Sequence, residues 1–313
     1  MKDEKKSSLV PVLLALIVMM LWGSLYPSVK MSYKLFEIDT SYYPNLLLFA
    51  GVRFTATGLM ISLFQVAKKK TIPVMQTKQE WLGVLLVGVF AVLINYACTF
   101  FGLSVVESSK TALLKQSGML VFIVVSAFFF KEDKLTWQKG VGAILGLVSI
   151  IFLNLSDVGI SFSLGSIIII ASSVSSAASS VICKKMLKNV DSVVLTGYSQ
   201  LFGGIVFLIV GTACGGSITL KEAGDFALLI YILLATSVSY SLWYTVVQKY
   251  ELSKLFIIKL SEPMFAAIIG AIVLQENLLQ LPYLFAFLCI TSAVVISNVK
   301  LGKKAEKRTK ESQ

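Results

Sequence analysis

Residues 107–117 read ESSKTALLKQS, and residues 251–261 read ELSKLFIIKLS. The two stretches share a glutamate, a serine, two lysines five residues apart and a closing serine, at a constant offset of 144 residues. Without a gap the offset carries on to pair Glu132 with Glu276 and Asn154 with Asn298, and upstream it pairs Tyr96 with Tyr240. Apolar membrane segments match one another by composition alone. Two lysines followed by a glutamate 17 residues after the second do not, so the chain reads as a duplication.

The material around this repeat is membrane-like. The 313 residues are 56% hydrophobic and only 14% charged, with mean hydropathy +0.82, whereas about a quarter of a soluble domain is charged. Apolar runs bounded by charged or turn-rich breaks predict ten spans, near 9–29, 42–66, 80–101, 107–129, 137–155, 163–183, 192–213, 226–247, 252–274 and 281–299. The basic start followed by Leu9 to Leu21 imitates a signal peptide, but the apolar run continues through Trp22-Gly23-Ser24 and reads as an uncleaved first span. Each copy then holds five spans. Because five is odd, the second copy enters the membrane from the opposite side, which is the inverted-repeat plan of secondary transporters. The expected fold is an all-α polytopic membrane protein of ten transmembrane helices in two inverted five-helix repeats. These are residues 1–157 and 158–300, followed by a basic cytoplasmic tail at 301–313.

With the N-terminus in the cytoplasm, inner segments carry 21 Lys/Arg, and outer loops carry only Lys30, Lys34, Lys110 and Lys221. Such a bias over short loops places both termini in the cytoplasm and the chain in the plasma membrane. It also explains the net charge of +11 as topology and attraction to anionic membrane lipid, with no nucleic-acid partner. Histidine is absent, which removes the usual general base and the commonest metal ligand. Cys98, Cys183, Cys214 and Cys289 form no C-x-x-C pair and read as small buried hydrophobes. No phosphate-binding G-x-x-x-x-G-K-[ST] loop occurs. No cofactor, metal or catalytic residue is expected.

Several short motifs, taken in order, resemble the drug/metabolite transporter superfamily, and within it the bacterial ten-span transporters built from two EamA domains. These are Trp22-Gly23-Ser24, Arg53-Phe54, Glu132 ahead of the Gly140/Gly142/Gly146 span, Leu242-Trp243-Tyr244, Glu262-Pro263 and Glu276. The first copy departs from the pattern, with Gly118-Met119 where the second has Glu262-Pro263. The resemblance implies a small-molecule substrate. Family members that carry nucleotide sugars or phosphorylated sugars place lysines on the fourth and ninth helices, which implies an anionic cargo here.

Charges inside spans are costly and so mark candidate sites. Lys115 and Lys259 lie about equally deep in spans 4 and 9 and are expected to contact substrate near the midplane. Their alternative is snorkelling or internal pairing, Lys259 having Glu262 at i+3. Arg53 suits a carboxylate or phosphate, or else pairs with Glu262 or a helix C-terminus. Trp22, Tyr26, Tyr96, Tyr240, Trp243 and Tyr244 line the site or form an interfacial belt, with Tyr96 and Tyr240 favoured for the site by the repeat. The substrate set is therefore Lys115, Lys259, Arg53, Tyr96, Tyr240, Trp22 and Glu262. Glu132, Glu276, Lys110 and Lys254 are assigned gating or structural roles. Asn95 and Gln200 are read as interhelical hydrogen-bonding residues, and the span 6 serines, Ser172 to Ser180, as a packing surface. The expected function is secondary transport of a small organic anion by alternating access. Alternatives are export of zwitterionic amino acids or amphiphilic drugs and, in another class, a membrane-embedded enzyme or lipid-handling protein. A homodimer is one open assembly state.

Overall fold

Long apolar runs without backbone partners in lipid can only be satisfied as helices, and every regular element among the described residues is helical. The computed structural model describes residues 2–70, 75–105, 115, 136–154, 164–188, 190–274, 285, 288, 289, 291–293, 295 and 296. The elements are α1 (Lys2–Leu35), α2 (Tyr43–Lys69), α3 (Lys78–Val87), a π-helical turn (Gly88–Ile94), α4 (Asn95–Val105) and α5 (Trp137–Asn154). They continue with α6 (Leu164–Met186), α7 (Ser192–Ala213), α8 (Ala223–Lys249), α9 (Leu252–Lys259) and α10 (Glu262–Leu274). Seven segments among the described residues are long and apolar enough to cross a membrane, the fifth predicted span coinciding with α5. Predicted spans 4 and 10 lie almost wholly outside the described residues, as do Lys110, Glu132 and Glu276.

Local chemistry explains the ends. Thr77 and Glu80 form a reciprocal capping box that opens α3. Asp191 caps α7 by accepting from the amides of Val193 and Val194. Pro44 sits in the first turn of α2, where its missing N–H costs nothing. Asp39 turns the loop after α1: its Oδ1 accepts from the Ser41 amide at 2.9 Å and hydroxyl at 2.6 Å. Those two bonds hold the carboxyl below its ordinary range.

Three predicted spans differ in detail. The first extends to Leu35, so Lys30 and Lys34, expected in a loop, ride on a helical extension with Lys34 in its last turn. The third is interrupted by the π turn. The ninth breaks at Leu260-Ser261, because Pro263, in the first turn of the next helix, has no amide to donate back to the Lys259 carbonyl.

The closest helix pair is α2 with α7, and glycine permits it. A Cβ on Gly51 would lie 2.5 Å from the Leu208 nitrogen, and one on Gly58 2.5 Å from that of Leu201. In return, Gly204 faces Thr55 and Gly211 faces Leu48. The contacts are reciprocal: 51 and 204, 55 and 208, 48 and 201, and 58 and 211 each differ by 153. Around this pair α1 packs on α8, α9 and α10, while α6 packs on α3, the π turn and α4.

Candidate functional site

The break in span 9 builds the centre of the site. α9 ends at Lys259, the chain turns through Leu260 and Ser261, and α10 begins at Glu262 with the carboxylate in its first turn, where the helix dipole favours it. The alternative i+3 pairing of Lys259 with Glu262 presumes one continuous helix, and the break removes it. Instead Lys259 Nζ lies 4.9 Å from the Trp22 ring and 5.4 Å from Trp243, and donates to Ser176 Oγ at 3.3 Å. Glu262 Oε1 accepts a hydrogen bond from Tyr26 at 3.0 Å.

Arg53 on α2 is almost fully buried, at 2% exposure. Its alternative partners, Glu262 or a helix end, are not the ones it meets. Nε and Nη2 both donate to Thr236 Oγ1 of α8, at 3.1 and 2.9 Å, and Thr236 Oγ1 in turn donates to the Ile232 carbonyl. The guanidinium lies 5.0 Å from the Phe54 ring and 5.6 Å from Tyr96. Lys115 Nζ stands 5.9 Å from the Tyr96 ring on another side, and its carbonyl accepts from Ser173 of α6. Tyr96 and Tyr240, favoured by the repeat, share a hydrogen bond of 3.0 Å.

Trp22 joins the seam: its ring lies 5.4 Å from Tyr240 and 5.2 Å from Trp243. Trp22, Tyr240, Trp243 and Tyr244 are all buried, which excludes them from an interfacial belt. Six residues of the expected substrate set, Lys115, Arg53, Tyr96, Tyr240, Trp22 and Lys259, are thus linked through one group of rings and charges, and Glu262 meets Tyr26. Arg53, Lys115 and Lys259 carry +3 against −1 on Glu262, a formal +2. Among the described residues the carboxylate makes no ion pair within 4.0 Å; its hydrogen-bond donor is a neutral phenol. The Trp22 Nε1 donor is buried without a partner among the described residues.

Other assignments fare differently. Lys254 pairs with Glu251 at 3.2 Å, one turn away. Glu251 also meets the buried Lys139 of α5 at 3.0 Å. Asn95, expected to bond between helices, donates to Ala91 O of its own span at 3.1 Å. Gln200 is fully buried, and both amide ends are without partners among the described residues. No group of three or more His, Cys, Asp or Glu able to hold a metal occurs among the described residues, and the four cysteines are free.

A family model described as the EamA-like transporter family matches this chain twice, over residues 9–155 and 163–298. The chain belongs to the EamA-like transporter family. This EamA-like chain is 24% identical to the "Uncharacterized transporter YoaV" of Bacillus subtilis over 277 residues, 86% of this chain and 91% of that protein. It is 26% identical to the "Probable amino-acid metabolite efflux pump" of Escherichia coli, over 90% of this chain and 93% of that one. A solved crystal structure with 15% identity superposes with TM-score 0.76, covering 93% of this chain and 98% of the other, which places the fold alone. The relatives are named as transporters or an efflux pump, so the chain is a transporter and not an enzyme.

Two contributors escape a reading of charges alone. Thr236 holds the guanidinium, and the α6 serines do more than pack. Ser172 accepts from Thr99, Ser173 donates to the Lys115 carbonyl, Ser175 to the Phe90 carbonyl, and Ser176 and Ser180 receive Lys259 and the Trp243 indole. Their density in one span is the signal. Six hydroxyls in an apolar helix need partners: Ser172, Ser179 and Ser180 donate to carbonyls of their own helix, and Ser173 and Ser175 reach carbonyls of the first copy.

Proposed function

We propose that this EamA-like transporter is a secondary carrier of small organic anions, binding them at the basic cluster of Lys115, Lys259 and Arg53. The observation that carries this reading is the charge balance: three cations gather on aromatic faces and hydroxyls, and the one carboxylate beside them is held by Tyr26. A buried excess of positive charge is costly when empty, and an anionic carboxylate or phosphate relieves that cost. Trp22, Tyr96 and Tyr240 supply apolar faces to the cargo's body, Trp22 Nε1 adds a free donor, and Glu262 sets the net charge.

The transport cycle is alternating access between inverted five-helix repeats, 1–157 and 158–300. Two features support the inversion: the reciprocal α2–α7 contacts, and the meeting of Tyr96 with its offset mate Tyr240, as expected of residues beside a two-fold axis. The chain sits in the plasma membrane among its lipids with both termini cytoplasmic, as the lysine bias requires. Glu132, Glu276, Lys110 and Lys254 keep the gating or structural roles assigned from the sequence.

The test is uptake by purified protein in proteoliposomes. Radiolabelled mono- and dicarboxylates, sugar phosphates, neutral amino acids and organic cations are compared, with preference for the first two expected. A preference for cations overturns the reading. A second reading, transport of zwitterionic amino acids, is favoured by Glu262, whose carboxylate can take an ammonium, and by the name of the Escherichia coli relative. Preference for neutral amino acids over carboxylates selects it.

A further inference from the structure

A single π turn inside an α-helical span demands an account, because π geometry is rare and inserts a residue into the i to i−4 ladder. In the third span it covers Gly88–Ile94, immediately before the site residue Tyr96. Where the pairing returns from i−5 to i−4, a carbonyl is left short of an amide partner. Two carbonyls of this turn are held by side chains. Phe90 O accepts from Ser175 Oγ of α6 at 2.7 Å, and Ala91 O accepts from Asn95 Nδ2 at 3.1 Å. The start of the turn is pressed on α7. A Cβ at Gly88 would stand 2.7 Å from the Phe202 ring and 3.1 Å from the Ser199 carbonyl. Val92 fills the space over Gly203.

The corresponding stretch of α8, residues 232–239 at the 144 offset, is unbroken α-helix. Its hydroxyls bond back to their own helix, Thr236 to Ile232 O, Ser237 to Leu233 O and Ser239 to Thr236 O. The π turn is therefore a property of one copy; Asn95 of its own span and the other copy's α6 and α7 hold it.

We infer that Ser175 and Asn95 are positioning residues that hold the π turn and thereby set the rotational phase of Tyr96, so that release of the turn parts Tyr96 from Tyr240. Return to α geometry advances everything beyond the turn by one residue, about 100° of rotation and about 1.5 Å of rise. Tyr96 then leaves the phenol contact with Tyr240, and with it the aromatic faces seen by Arg53 and Lys115. The consequence for transport rests on the alternating-access reading proposed above: movement of α6 in the second copy turns a site residue of the first.

The test needs no substrate, so its failure is separate from failure of the anion reading. Full-length protein with Cys98, Cys183, Cys214 and Cys289 replaced by serine receives Tyr96→Cys and Tyr240→Cys and is treated with a bifunctional thiol reagent. Cross-linking is expected in this background, and Ser175→Thr keeps it. Adding Ser175→Ala with Asn95→Ala lowers the yield by at least about fivefold, the value of one of the two hydrogen bonds removed. Deleting Val89 in that variant restores the yield, since one residue fewer gives α geometry with Tyr96 in its original phase, a rescue that a merely structural role does not give. An unchanged yield in Ser175→Ala/Asn95→Ala overturns the inference, as does failure of the deletion to restore it in a chain with unchanged melting temperature. If the variants do not fold, hydrogen exchange of the unmodified protein decides. The amides of 92–95 should exchange about tenfold faster than those of 236–239, and equal protection overturns the inference.

Discussion

The first copy's third span and the second copy's eighth descend from one sequence pattern, yet they fold differently. Residues 88–94 take a π turn whose carbonyls borrow donors from Ser175 and Asn95, while residues 232–239 remain α-helical and satisfy their hydroxyls internally. The ninth span breaks at Leu260-Ser261, just before Glu262-Pro263, where the fourth carries Gly118-Met119. By contrast the α2–α7 seam is reciprocal, residue for residue. The α2–α7 framework is symmetric and the residues closest to the charges are not.

The largest expected effect concerns the two lysines. Lys115→Ala and Lys259→Ala should each lower organic-anion transport in proteoliposomes by about 30-fold or more, since losing one partner of a desolvated charge pair costs about 2–5 kcal/mol. They should differ in stability. Lys259 holds Ser176 and two indole faces, and its loss should lower the melting temperature. Lys115, whose ammonium meets only the Tyr96 ring among the described residues, should leave it unmoved. Equal melting shifts would break the asymmetry, and unchanged transport by both variants would remove the basic site.

The next effect tests the symmetric part. Gly51→Ala and Gly204→Ala place a methyl against backbone across the same seam, from opposite sides. Overpacking of this kind costs about 1–3 kcal/mol, and the two variants should lose similar amounts in thermal unfolding in detergent. A loss confined to one of them would show that the contacts match in position but not in tightness.

Legibility followed the same division. The 144 offset was readable because it runs through Lys115, Lys259 and two glutamates, residues that composition does not scatter through spans. The relation between α2 and α7 was not readable, because its spacing is 153 and its carriers are glycines in apolar sequence. Only the helix contact reveals what Gly51 and Gly204 have in common. The alternative pairing of Lys259 with Glu262 at i+3 assumed a continuous helix, and the break before Glu262-Pro263 removes that alternative. The π turn has no sequence mark of its own. Gly88, Asn95 and Ser175 are ordinary residues until three elements bring them together.

A smaller effect is expected at the buried ion pair between the two copies. Lys139 of the first copy is buried, with 3% of its side chain exposed, and pairs with Glu251 of the second, which is 41% exposed. The offset places Tyr283 opposite Lys139, so the partner copy lacks this lysine. Lys139→Met keeps the apolar stem and leaves Glu251 to water and Lys254. The cost should be about 1–2 kcal/mol, between an exposed and a buried pair, read as a drop of roughly 2–8 °C in melting temperature.

The smallest effect belongs to the outer face, where Lys221 of the second copy meets Glu37 of the first at 2.6 Å. The distance is shorter than that of Lys139 to Glu251, but 61% of the lysine side chain and 56% of the glutamate are exposed. Water competes for both charges, and salt screens them. The loop does not depend on the pair. Thr219 N donates to Phe36 O, Ser217 N to Asn45 Oδ1, and Tyr42 OH to Cys214 O. The start of α8 is capped by Asp225 through the backbone amides of Lys221 and Glu222, which a side-chain change leaves in place. Lys221→Ala should therefore cost less than about 0.5 kcal/mol and move the melting temperature by less than about 2 °C, with the residual shift vanishing in 0.5–1 M salt. If Lys221→Ala instead equals or exceeds Lys139→Met, exposure is not what separates the two inter-copy ion pairs. The outer loop would then be a latch as strong as the buried pair, and the two pairs would be equal where their burial says they differ.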